Sequence, residues 1–403
     1  MLSPTSPQEQ ALLSAETESH ILDLSGVVVD ALRIKPPFYG WSILGKPHTW
    51  LPPHRRYSEF TALDLWRPWR TLKTLINVTV PSLPMTPPRF GPPVCNNIFW
   101  QPTVVLQRPD HYGSYTSFPD EAWFFVNGIM TNDVIAHINA AYLAYLFHRP
   151  ITLVQNSTDS ALIDLIQCAF GKQWAHTTEP ATKAFPAIYD ALKSPYKQKV
   201  VVIAHSQGTI IMANVLRMLS AITERTASLD AQLAAIMGQP QAAAAPWYVE
   251  PEFVYPDDSP LNLDDFDPLE PSDLAKLEIY SFATCANQMR YFQPPTDKQL
   301  PIPWIEHFGN EFDIVARLGM QAPRPDHWRI HIEGPRYVHP GAWGHLLNQH
   351  YLYPIAGIQQ EGRRRGARHG SEPFRLLDES SLPETAYRLA GPRLFQYING
   401  GTA

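Results

Sequence analysis

Five apolar residues in a row, Val200 to Ala204, run straight into His205-Ser206-Gln207-Gly208, and a nearly unbroken apolar stretch from Ile210 to Leu216 follows at once. A short unbroken apolar run reads as a strand buried on both faces, which requires a sheet covered by helices on each side. The second stretch reads as a helix. Ala204 and Gly208 bracket the turn between them, where a chain passing sharply from strand to helix leaves no room for larger side chains. This one segment commits the chain to an α/β architecture.

The rest of the chain fits that reading from about residue 121 onward, where apolar runs alternate with helical stretches as in βα units around a mainly parallel sheet. Trp123 to Val126 is a short strand ahead of Asn127-Gly128, and a helical stretch through Ala136, Ala140, Leu143 and Leu146 is stopped by Pro150. Ile151 to Val154 is the next strand, Leu162 to Phe170 a helix ended by Gly171, and 181–193 another helix. Later strands are expected at Leu277 to Ala283, Pro303 to Phe308 and Trp328 to Ile332, with a helix around Phe312 to Leu318. An insertion, 220–275, interrupts the series. Its second half carries nine acidic residues and no base, without the turn glycine and terminal glutamate of a calcium loop, so it reads as a solvated loop or lid.

Composition sets the boundaries. With 403 residues, 44% hydrophobic and 17% charged, the chain can bury a large core, which excludes wholesale disorder. Forty prolines against 21 glycines reverse the usual ratio and predict stiff, extended loops. Residues 1–120 read as a proline-rich extension packed on the core, 121–355 as the core itself and 356–403 as a tail. A net charge of −6 gives no general attraction to nucleic acid or anionic membranes. The basic cluster Arg363, Arg364, Arg365 and Arg368 reads as a solvated loop, with a nuclear signal or an anionic partner site as the alternatives. No window approaches 18 apolar residues, so no integral membrane segment is expected. The first residues lack the pattern of a secretory signal, and Cys95, Cys168 and Cys285 form neither a disulfide framework nor a metal-ligand spacing. A cytoplasmic protein with no metal and no cofactor is the expectation.

The chemistry concentrates at Ser206. The strained turn lifts its hydroxyl to the top of the sheet, at a helix N-terminus that favours negative charge. The first backbone N–H of that helix, from Gln207, can donate to a developing oxyanion. Ala204-His205-Ser206-Gln207-Gly208, together with Trp123-Phe124-Phe125-Val126-Asn127-Gly128-Ile129 and the trailing Trp343-Gly344-His345-Leu346-Leu347-Asn348-Gln349-His350-Tyr351-Leu352, resembles the α/β-hydrolase superfamily, in particular its lipase-like and serine-esterase branches. The resemblance covers about residues 121–355. It implies an α/β-hydrolase fold and a serine hydrolase acting on a carboxylic ester of a small-molecule or lipid-like acyl substrate, through an acyl-enzyme. The same machinery serves thioesterases and acyltransferases, and a non-catalytic binding protein can keep the fold.

The superfamily order of serine, acid and histidine, each after a successive strand, then selects candidates. Asp313 follows the Pro303 to Phe308 strand; Asp326 precedes a strand, and so do the acids at 257–273. For the base, His339 and His345 both follow the last expected strand. His345 is favoured because Gly344 precedes it and an apolar helix follows; His350 lies inside that helix. His307 and His331 fall on strands, and His327 precedes one. The second oxyanion donor is expected from the loop after Trp123 to Val126, with Ile129 N–H as the candidate and Asn127, Gly128 and His205 bordering the substrate.

Overall fold

The computed structural model describes residues 39–46, 57–62, 104–107, 118–128, 133–155, 179–223, 263–291, 303–322, 330–357, 374–377 and 391–403. In chain order the helices are α1 Tyr39–Leu44, α2 Asp133–Phe147, α3 Glu179–Lys193, α4 Gly208–Thr223, α5 Pro271–Leu274 and α6 Ile314–Arg317. The strands are β1 Val104–Gln107, β2 Glu121–Val126, β3 Thr152–Gln155, β4 Lys199–His205, β5 Leu277–Phe282, β6 Gln288–Met289, β7 Trp304–Asn310, β8 His331–Ile332, β9 Arg336–His339 and β10 Arg375–Leu376. Short 3-10 helices at Glu59–Ala62 and Arg393–Gly400 and a π-helix at Leu347–Leu352 add to these.

Eight strands form one sheet in the order β1-β3-β2-β4-β5-β7-β9-β10. All interior pairs are parallel, and only the edge strands β1 and β10 run antiparallel to their neighbours. The chain is therefore α/β with a mostly parallel central sheet. Side chains alternate across it. Trp123, Phe125, Val201, Ile203, Tyr280 and Phe282 pack under α2 and the segment around Tyr397. Phe124, Val126, Val200, Val202, Ala204 and Ile279 pack under α3 and α4. Val200 to Ala204 is unbroken in sequence because both of its faces are covered this way.

Two expectations are corrected. The described part of the Trp328 to Ile332 strand, β8, pairs with β6 in a separate two-stranded sheet, and residues 323–329 lie outside the described ones. The last parallel strand is instead β9, which pairs with β7. In β9, Arg336 and His339 flank only two apolar residues, so it carries no apolar run. The second correction concerns 356–403, read as a tail. It supplies the edge strand β10, and its final residues bury Leu394, Tyr397 and Ile398 against the core. Residues 162–170, 224–262 and 363–368 lie outside the described ones, so the expected helix, most of the acidic insertion and the arginine cluster do too. Within the described part of the insertion Asp265, Asp267 and Glu270 are exposed, while Asp273 caps α5 and pairs with Lys193 and Lys276. Among the described residues no helix is long and apolar enough to cross a membrane.

The end of the sheet opposite Ser206 is held by buried charge. Arg149, fully buried, pairs with Glu121 at 2.9 Å and donates to Phe147 O and Gly401 O. Glu278 accepts from Tyr280 and Tyr397 and pairs with Arg393 at 2.7 Å. Removing one member of a buried pair strands the other without its partner. Arg149→Ala should lower the unfolding free energy by about 3–5 kcal/mol, read by chemical denaturation; a loss below about 1 kcal/mol would place the pair in the weak, water-accessible class.

Candidate active site

Parallel strands present their C-terminal ends along one edge of the sheet, and in open α/β sheets that edge is where ligands bind. Here the chain leaves β4, β7 and β9 through three loops that carry Ser206, Asp313 and His345. Ser206 stands between β4 and α4 with φ 57°, a left-handed conformation that a residue with a Cβ adopts at a cost of about 1–2 kcal/mol. Its backbone is fastened on both sides. Ser206 N–H donates to Phe282 O at 2.9 Å, and Ser206 O accepts from Thr209 N–H, from the Thr209 hydroxyl at 2.7 Å and from the Cys285 thiol at 3.4 Å. The neighbouring strand β5 ends the same way, with Ala283 at φ 50°.

Two glycines make the close packing possible. A Cβ on Gly208 would come 2.3 Å from Val126 O, so α4 could not start against the end of β2. A Cβ on Gly128 would lie 2.4 Å from Ser206 Cβ and 3.1 Å from its hydroxyl oxygen. The Asn127-Gly128 loop therefore touches the serine directly, with Asn127 fully buried beneath it. Ile129 lies outside the described residues. Gln207 stands immediately before α4.

From Ser206 a hydrogen-bonded chain runs through His345 to Asp313. The Ser206 hydroxyl is 2.9 Å from His345 Nε2, and His345 Nδ1 is 2.8 Å from Asp313 Oδ2. A carboxylate only accepts, so the imidazole proton sits on Nδ1 and Nε2 is left to accept from the serine. Asp313 is the N-cap of α6: its Oδ1 accepts from Val315 N–H at 2.8 Å, while Oδ2 also accepts from Tyr351 OH at 2.5 Å. All three residues are buried. His339, the other base weighed from sequence, is the last residue of β9 rather than part of the loop after it, and its ring lies 5.2 Å from Phe374. Asp326 and His327 lie outside the described residues.

Several neighbours hold this arrangement. His205 Nε2 donates to His345 O at 2.9 Å, with its ring 4.7 Å from that of His345. Asn310, at the end of β7, donates to Gly344 O at 2.9 Å. His350 Nδ1 accepts from Leu346 N–H at 2.9 Å. Glu59 accepts from Asn348 and Gln349 N–H, which begin the turn after His345. Burial, followed by the nearby His345, pushes His205 well below the usual imidazole range and His350 down to about 3, so both rings stay neutral beside His345. Burial pushes Glu59 up to about 7 against the pull of its N–H donors and of His345. Glu59, Asn310 and Tyr351 have no sequence pattern that marks them as site residues; only proximity in the fold does.

Among the described residues no group of three or more acidic, His or Cys side chains could hold a metal ion. Gly128→Ala should cost about 1–3 kcal/mol of stability, as overpacking of a close contact does, because the loop and Ser206 must separate; denaturation at pH 7 measures it. Stability should also fall with acid through His350. Its proton affinity is lower in the folded chain than in the unfolded one, so its contribution is whole above about pH 6.5 and is lost as the pH falls towards 3. His350→Gln keeps an acceptor for Leu346 N–H and should remove about 2 kcal/mol of the loss between pH 7 and pH 5. Equal losses in both proteins would mean that His350 does not contribute. Comparison with protein-family models, with curated proteins and with solved structures returned no match for this chain.

Proposed function

We propose that this protein is a serine hydrolase of carboxylic esters built on an α/β-hydrolase fold. The reading rests chiefly on the chain from Ser206 Oγ through both nitrogens of His345 to Asp313 Oδ2, with steps of 2.9 and 2.8 Å. A serine hydroxyl is a poor nucleophile until a base takes its proton, and an imidazole oriented by a buried carboxylate is suited to do so. The left-handed turn at Ser206 and the order serine, acid, histidine along the chain agree with the superfamily's nucleophile elbow.

In this mechanism Ser206 Oγ attacks the acyl carbonyl carbon while its proton passes to His345 Nε2. Asp313 holds the Nδ1 proton and stabilises the imidazolium. His205 and His350, both neutral, place no cation against that charge. The oxyanion of the tetrahedral intermediate forms at the N-terminal end of α4, where Gln207 N–H supplies one donor. Ile129 N–H remains the candidate for the second. His345 then returns the proton to the departing alkoxide. Water, deprotonated by the same nitrogen, releases the acid from Ser206. Half-buried Trp41, Phe312 and Trp343 cluster next to the site, with the last two stacked at 4.3 Å, which favours a lipophilic acyl group.

Fluorophosphonate labelling tests the reading. Wild type should label and Ser206→Ala should not; folded wild type that stays unlabelled would sink it. His345→Ala should lower ester hydrolysis by several orders of magnitude, whereas His339→Ala should leave it within a few fold.

A further inference from the structure

The loops that carry Asp313 and His345 are both fastened to two consecutive residues of α1, far outside the segment that resembles known hydrolases. The Ser42 hydroxyl donates to Phe312 O at 2.6 Å and accepts from Ile314 N–H at 2.7 Å. One hydroxyl thus bridges the peptide groups immediately before and after Asp313, across a separation of 270 residues. The next residue, Ile43, offers its carbonyl to His345 N–H at 2.8 Å. Ser42 has no exposed surface.

The need for this tie follows from the double duty of Asp313. As the N-cap of α6 it faces amides that have no partner within the helix. Its Oδ1 serves Val315 N–H, and its Oδ2 serves His345 and Tyr351. Ile314 N–H lies between these demands and is buried. An N-cap side chain reaches the N–H groups of N2 and N3, and Ile314 is N1, so without Ser42 this buried amide has no acceptor in its own turn and the peptide groups on either side of Asp313 lose their tie. Ser42 meets that demand from outside the turn. Only a group that donates and accepts at once can bond both Phe312 O and Ile314 N–H, which a hydroxyl does and an alanine methyl cannot.

We propose that Ser42 is a positioning residue of the active site, holding the Asp313 loop so that the carboxylate is kept for His345. The proposal rests on the serine-hydrolase reading above. It makes α1 a support of the site through Ser42 and Ile43.

The test compares full-length wild type, Ser42→Ala and Ser42→Cys by fluorophosphonate labelling rate and by kcat and KM on a short-chain p-nitrophenyl ester, with unfolding midpoints as a control. In Ser42→Ala, labelling and kcat should fall about 10- to 100-fold, as misplacement of a supporting group does, with KM within about twofold. Ser42→Cys, which keeps a weaker donor and acceptor, should fall between it and wild type. Wild-type rates in folded Ser42→Ala, or a loss carried by KM alone, would overturn the proposal. If Ser42→Ala does not fold, Ser42→Cys decides, and an unchanged kcat there overturns it. The wild-type arm separates the two failures: silent wild type brings down the hydrolase reading itself, whereas active wild type with an equally active variant brings down only the role of Ser42.

Discussion

Burial of β4 on both faces is the constraint from which the rest follows. A strand with no exposed face must lie inside a sheet, paired on each side and covered above and below, and its parallel neighbours β2 and β5 supply that. A parallel strand cannot return by a hairpin, so the chain must leave β4 at the top of the sheet and travel back as a helix. Space there is so limited that α4 begins with Gly208 against the backbone of β2. The left-handed turn at Ser206 is the local consequence of that crowding, and the fastening of its peptide groups to Phe282, Thr209 and Cys285 keeps it from relaxing.

Around that turn the molecule separates charge by location. At the base of the sheet, Glu121, Glu278, Lys199, Arg149 and Arg393 form buried or half-buried pairs that tie the final residues to the strands. At the top, burial works against charge: His205 and His350 are held neutral and Glu59 is raised towards neutrality. Asp313 sits among donors there, receiving hydrogen bonds from Val315, Tyr351 and His345. Under the proposed hydrolase mechanism, a carboxylate so placed, with neutral imidazoles nearby, suits a transient positive charge on His345.

Much of this was legible in the sequence, for a physical reason. β2, β3 and β4 lie in the sheet interior and appear as apolar runs, while β5 and β7 mix apolar residues with the buried Glu278, Glu306 and His307 and show more faintly. Ser206 stood out because small residues on both sides, an apolar run before and an apolar stretch after seldom coincide by chance. Order along the chain points to Asp313, and order with the flanking Gly344 and apolar helix points to His345; the fold brings His345 within hydrogen-bonding distance of both Asp313 and Ser206. What escaped was held by tertiary contact alone. β9 is too polar to show a run, and the Tyr397 segment is too short to show a helical period. Ser42, Glu59 and Tyr351 act through partners far away in sequence or through hydrogen bonds that no spacing encodes.

The two left-handed residues at the ends of β4 and β5 face different fates under selection. At Ala283 the side chain is a methyl group, and glycine would adopt the same φ without the steric penalty, so that local strain is removable. At Ser206 the strain and the hydroxyl share one Cβ, and any residue that relaxes the turn discards the oxygen it presents. The strain at Ala283 is therefore separable from the side chain that carries it, whereas the strain at Ser206 is not. If Ser206 is the nucleophile proposed above, a version of this protein that no longer needed it would be free to become more stable there, and glycine at position 206 in a related chain would mark one without that nucleophile.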